Sequence, residues 1–205
     1  MPEFQERDTD AILAFIRKYP FGMLTGVGES GQIAATHVPF LVGFEGERIT
    51  LRAHVMRKTE YWKAFQHNPQ VLVAFTGPDA AVLESWNQKR PFGGTWNYMA
   101  VHVQGRLNFL PTEGLVGILR ELKNMYEVNS TVAFDKLPQD YLDALIPAIE
   151  GFQIEVEDVQ AVFKLSQNRP RGDFHQTLKE LQARGGESAL VAEEMLARTD
   201  TFFPG

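Results

Sequence analysis

Apolar residues recur along this chain with two different periods, and the changes between them mark out its elements. Near the start, Ile12, Phe15 and Ile16 share one face of a helix that Asp8 or Thr9 caps and Tyr19-Pro20 ends. The period then shortens. Stretches 21–25, 33–42, 48–55, 71–76 and 80–83 are short, apolar or alternating, and bounded by Gly, Pro or charged residues, which predicts strands. Segment 96–110 predicts one long strand or two joined at a bend near Gly105, and 151–165 predicts the same. Strands this short with turns this close favour an antiparallel barrel over a parallel sheet. Between the two long segments, Leu115, Ile118, Leu119, Leu122, Met125 and Tyr126 fall on one helical face, with Thr112 as the expected cap. Tyr141, Leu142, Leu145, Ile146 and Ile149 repeat that spacing, and Pro147 is expected to kink or shorten their helix. Beyond Asp173 the pattern is helical again, divided at Gly185-Gly186. The expectation is one α+β domain over 1–185 and a helical C-terminal tail over 186–205.

Two segments break the strand pattern. Thr95-Trp96-Asn97-Tyr98 with His102, and Lys164-Leu165-Ser166-Gln167-Asn168-Arg169-Pro170, put aromatic and hydrogen-bonding side chains where a core face asks for Val, Ile or Leu. A buried polar group without a partner costs roughly 1–3 kcal/mol, so either the protein or a ligand must supply partners. If the protein does so, the pocket is structural and Trp96, Asn97 and Ser166–Asn168 bond only to one another.

Composition narrows the chemistry. The chain has 205 residues, enough to bury roughly 70% of its unfolded surface as a single domain without a staple. It contains no cysteine, which removes disulfides, thiolate metal sites and cysteine nucleophiles, and suits a reducing cytoplasm. The first residues are acidic where a signal peptide is basic, and no apolar run reaches membrane-spanning length. Net charge is −6. Its basic groups, Arg57-Lys58, Lys89-Arg90 and Lys164/Arg169/Arg171, are short and separate, so direct nucleic-acid binding reads poorly. Asn129-Ser130-Thr131 matches a glycosylation acceptor, but without secretion it is expected to be a chance match.

Several motifs have a bland reading that outweighs the sharp one. Gly26-Val27-Gly28-Glu29-Ser30-Gly31 matches G-x-G-x-x-G, yet a strand pattern follows it instead of the helix a pyrophosphate needs, so it is expected to be a hairpin turn. His37, His54 and His102 lie in three different strand segments and lack metal-site spacing; each is expected to be a hydrogen-bonded or ligand-facing imidazole, and His67 and His175 surface residues. No G-x-S-x-G elbow surrounds Ser85 or Ser166. Arg57-Lys58-Thr59 follows a strand that carries Arg52 and His54, and an Arg, a Lys and a hydroxyl there would suit a phosphate dianion; the alternative is a solvated turn before a helix at 60–65.

In order, the stretches 10–22, 35–40, 54–62, 75–80, Ser85-Trp86, Thr95-Trp96-Asn97-Tyr98 with Val101-His102, Ile149-Glu150-Gly151-Phe152 and 164–170 resemble the PaiB-type family of FMN-binding split-barrel proteins, over about residues 1–180. The resemblance implies a six-stranded antiparallel split β-barrel with peripheral helices, in a homodimer with FMN where the subunits meet. It implies that Arg57 and Lys58 hold the FMN phosphate, and that His37, His54, Trp96, Asn97, Lys164, Ser166, Gln167 and Asn168 lie near the flavin or shape its pocket. An isoalloxazine offers an apolar face to Trp96 and a polar edge to amide and hydroxyl donors. Two departures stand out: Asn87 follows Ser85-Trp86 where the family has Tyr, and Thr59-Glu60-Tyr61 stands where the family has Asn-Pro, which sets a negative charge beside the expected phosphate site. The family is one of negative transcriptional regulators, and in an acidic chain without a helix-turn-helix such regulation is expected to be indirect. The alternatives are a flavin-dependent oxidoreductase acting on a small molecule, with His37 or His102 as proton donor, and a haem-binding split barrel with a strand histidine as axial ligand.

Overall fold

The structure, a computed structural model, describes residues 2–46, 48–86, 93–127 and 133–204. The chain is α+β, and its antiparallel split-barrel sheet has the hydrogen-bonded order β3-β2-β6-β7-β8-β5-β4, with the short β1 paired to β8. The strands are β1 Gln5–Glu6, β2 Phe21–Val27, β3 Ile33–Pro39, β4 Leu41–Glu45, β5 Arg48–Met56, β6 Gln70–Val82, β7 Thr95–Phe109 and β8 Ile149–Lys164. The helices are α1 Thr9–Lys18, α2 Glu60–His67, α3 Thr112–Tyr126, α4 Gln139–Ala148, α5 Arg171–Arg184, α6 Gly186–Ala197 and α7 Thr199–Phe202. Residues Ile16–Phe75 and His102–Val159 form one compact unit, and Met1–Phe15, Thr76–Val101 and Gln160–Gly205 form another.

In the first of these units, alternation decides the burial. Leu24, Leu51, Ala53, Val73, Phe75, Phe152 and Ile154 are fully buried. Phe40 packs edge-on to Phe75 and Phe152, with ring centroids 5.4 and 6.1 Å away. On the other face of β5 and β8, α3 brings Ile118 and Leu122 onto Leu41. Gly151 lets α3 approach, since a Cβ there would stand 2.9 Å from Leu115 Cα. The glycine-rich 26–31 segment is the expected hairpin: β2 and β3 pair from Phe21↔Pro39 to Val27↔Ile33, Gly28 N–H bonds Gln32 O at 2.9 Å, and Gly31 takes φ 81°.

In the second unit, Phe15 packs on Phe163 at 5.2 Å, and Phe174 packs on Phe202 and Phe203. Leu181, Val191, Ala192 and Met195 are fully buried, so α6, part of the expected tail, sits firmly in this unit's core. Gly185 at φ 74° ends α5, where the sequence places the break.

Three boundaries differ from expectation. Segment 33–42 is two strands, because the chain turns at Phe40, whose N–H bonds Pro20 O at 2.9 Å. Segments 71–76 and 80–83 are the single strand β6, which runs through Gly77-Pro78; the β2 register on it ends at Ala74, so the proline ring meets no β2 partner. α3 starts at Thr112 with Pro111 in the cap position, and no side chain caps it. A fourth boundary falls where it is expected: Pro147 lies in the last turn of α4, which ends at Ala148.

Candidate functional site

The turn from β5 to α2 gathers three of the expected phosphate groups. Lys58 has φ 64°, a left-handed backbone that costs a residue with a Cβ about 1 kcal/mol or more and therefore needs a reason. Thr59 caps α2: its Oγ1 donates to Met56 O at 3.0 Å and accepts from Trp62 N–H at 3.3 Å, while Thr59 O accepts from Lys63 N–H at 3.1 Å. Among the described residues no acceptor takes the α2 amides of Glu60 and Tyr61, which stand at the positive end of the helix dipole. Lys58 is exposed and makes no ion pair among the described residues. Glu60, whose charge the sequence sets beside this turn, is drawn along the helix to Lys63 Nζ at 2.7 Å.

Arg57 is more committed. Its backbone N–H bonds Ala148 O and its Nε donates to Ile149 O, both at 2.9 Å, and a terminal guanidinium nitrogen lies 3.3 Å from Glu150 Oε1. The other oxygen of Glu150 accepts from Trp62 Nε1. His54 lies upstream on β5, opposite Gly151. Its Nδ1 is buried with no partner among the described residues, and burial lowers its pKa below 6.5. Arg52, two residues away on that face, pairs with Glu121 of α3 at 2.8 Å. His37 is exposed on β3 and stacks on Phe21 at 5.8 Å.

In the other unit, the polar residues of 95–97 and 164–168 meet each other. Lys164 Nζ donates to Thr95 Oγ1 at 2.6 Å and stands 5.7 Å from the Phe4 ring centroid. Ser166, the second non-glycine residue with positive φ among the described residues (64°), donates its hydroxyl to Asn97 Oδ1 at 3.0 Å. Asn97 is fully buried, and its Nδ2 reaches Met195 Sδ at 3.5 Å. Gln167 closes the turn through Leu165 N–H at 2.8 Å and Phe163 O at 2.6 Å. Trp96 differs from these: it is 51% exposed, and Asp79 Oδ1 fixes its orientation by accepting from Nε1 at 2.9 Å. Asn168 is exposed.

The structure thus brings Arg57, Lys58 and Thr59 together at one turn, with His54 on the strand before them, and joins Asn97 to Ser166 and Lys164 to Thr95. His67, His102 and His175 are exposed. Among the described residues no three His, Asp or Glu side chains converge as a metal centre would. Asn87, Lys89-Arg90 and Asn129-Ser130-Thr131 lie outside the described residues. Sequence reasoning passes over Glu150, Trp62 and Asp79 as site residues. Glu150 and Trp62 lie in the matched stretches, but their link to Arg57 depends on β5–β8 register, which no local pattern encodes.

A sheet of this order with helices against it defines the antiparallel split-barrel class. The chain belongs to the family described as "Putative FMN-binding domain", whose model matches residues 1–158. It is 31% identical over 195 residues to "Protease synthase and sporulation protein PAI 2" of Bacillus subtilis (strain 168), covering 94% of this chain and 93% of that protein. Among solved structures it is similar in fold to a conserved hypothetical protein, Rv2991, of Mycobacterium tuberculosis (TM-score 0.59, 14% identity, 81% of this chain and 91% of that one). It is similar also to an FAD and heme binding protein of Mycobacterium smegmatis (TM-score 0.56, 13% identity, 78% and 73%). No helix among the described residues is long and apolar enough to cross a membrane.

Proposed function

We propose that the chain binds FMN and that the β5–α2 turn takes its phosphate. The observation that carries this is the left-handed Lys58 beside the Thr59 cap, which opens the α2 N-terminus next to a cation without a counter-ion among the described residues. Backbone amides, helix dipole and an ammonium at one turn are the ingredients of a phosphate site. His54 supports the reading, since its buried, partnerless Nδ1 is a polar atom that a bound group can satisfy. In the other unit, Trp96 presents an exposed aromatic face whose orientation Asp79 Oδ1 holds. Asn97 and Ser166 bond each other, and their part is to fix the Trp96 strand end, with Gln167 fixing the turn after β8. When bound, FMN supplies hydride and single-electron chemistry that no side chain here can. Any regulatory role of the kind the family resemblance implies would then be exerted through bound flavin, because net charge −6 disfavours direct DNA contact.

Titration with FMN, followed by flavin fluorescence, is expected to quench and saturate at a single FMN per chain. Lys58→Ala should weaken FMN by about tenfold, the worth of one charge-assisted bond, and leave riboflavin, which lacks the phosphate, unchanged. Equal effects on both ligands would remove the phosphate from this turn. The absorption spectrum of the purified protein also tests the haem reading, for which His37 and His102 provide exposed imidazoles: a Soret band in place of flavin bands would decide for haem.

A further inference from the structure

We propose that Glu150 is a built-in rival of the ligand phosphate for Arg57, and so sets how far the β5–α2 turn prefers a phosphorylated flavin to its neutral counterpart. This rests on the flavin reading of that turn. The guanidinium is aimed by backbone: Nε donates to Ile149 O at 2.9 Å. Its contact with Glu150 is loose. A charge-assisted N–H···O bond runs to about 2.7–2.9 Å and an Arg–carboxylate pair is often bidentate, whereas here one nitrogen stands 3.3 Å from one oxygen. The second oxygen is engaged elsewhere, by Trp62 Nε1. Trp62 therefore keeps Glu150 from closing a two-pronged grip on Arg57.

The other acid at the turn is out of play, because Glu60 is paired with Lys63. Among the described residues Glu150 is thus the carboxylate that pairs with Arg57. Its side chain is 14% exposed against 37% for Arg57, so its charge is less screened by solvent than that of the arginine it opposes. A phosphate that reaches Arg57 must share the guanidinium with this carboxylate, whereas riboflavin brings no anion to compete for it. Glu150 is a positioning residue in this account, acting on the ligand through Arg57.

The test measures FMN and riboflavin dissociation constants by flavin fluorescence for the full chain, Glu150→Gln, Arg57→Gln and the double variant. The amide of Glu150→Gln keeps an acceptor for Trp62 Nε1, so that substitution removes only the charge. FMN is expected to bind Glu150→Gln about tenfold tighter, the size of one charge pair near a surface. Riboflavin should be unchanged, and the gain should vanish when Arg57→Gln is added. A folded Glu150→Gln with unchanged or weaker FMN binding, or a gain shared by riboflavin or surviving Arg57→Gln, would overturn the inference and leave the flavin reading intact. A wild-type chain that binds neither flavin would overturn that reading, and this inference with it. Should Glu150→Gln not fold, Trp62→Phe tests the same point. It frees the second Glu150 oxygen for Arg57 and should weaken FMN severalfold with riboflavin unchanged; no selective loss would sink the idea.

Discussion

His54 keeps a ring nitrogen inside the protein without a partner among the described residues, on the same strand from which Arg52 reaches Glu121 of α3. Protonating the ring would bury a cation, and burial accordingly depresses its pKa below 6.5. The sign follows. With the folded-state value below the unfolded one, the unfolded chain takes up more protons as pH falls, so His54 contributes stability that is complete above 6.5 and is lost as pH drops through the folded-state pKa. Between about pH 7.5 and about pH 5.5 the urea midpoint should fall further for the wild type than for His54→Gln; parallel losses would show that His54 is not the group responsible. The sequence singles out such residues well where polarity conflicts with a core position. Asn97 and Ser166 attract notice for that reason and turn out to supply each other's partner, whereas Asp79, an ordinary surface acid in sequence, becomes informative only through Trp96. Lys58 and Ser166, both singled out from sequence, share φ 64°, a property no residue type announces.

Between elements, the close approaches decide what the chain tolerates. Of the two expectations for 96–110, one long strand is what forms: Gly105 lies inside the unbroken β7, and its need for glycine comes from the neighbouring strand, where a Cβ would stand 2.2 Å from Glu155 O. Backbone cannot step aside as a flexible side chain can, so Gly105→Ala should destabilise by about 1–3 kcal/mol, the range for an overpacked core. Gly117 in α3 is the opposite case: beyond its own helix, nothing among the described residues lies within 4 Å of where a Cβ would stand, and Gly117→Ala should stabilise by about 0.5–1 kcal/mol through helix propensity. Urea unfolding of both variants separates the two causes, and equal effects would refute the contrast. Helices α1, α3, α5 and α6 are readable from periodicity and glycine stops because those signals are local. The merging of β6 across Gly77-Pro78 is not, since whether a proline breaks a strand depends on which side lacks a partner.

The molecule's outer surface carries one feature that charge and composition do not foretell. On the β2–β3 ladder, Phe21 (62% exposed), Met23 (37%), Val27 (40%) and Ile33 (78%) face outward, opposite Pro39, His37, Ile33 and Val27 in register, without a charged residue among these pairs. β3 ends the hydrogen-bonded order of the sheet, and a recess of about 280 Å³ lined by Thr25, Val27, Ile33, Leu72 and Gln104, among others, lies on the same face. Apolar surface gathered on an end strand is what association covers in water. In a chain of net charge −6, an uncharged face is also the part where like charges least oppose a second copy. Were the homodimer expected from the family resemblance to form through this face, Ile33 of each copy would be buried against the other. Sedimentation velocity should find the wild type at twice the chain mass and Ile33→Glu at once the mass, because a buried carboxylate opposite Val27 would have no partner. A dimer that survives Ile33→Glu would move the interface elsewhere on the molecule, and a wild-type monomer would leave this face for another partner.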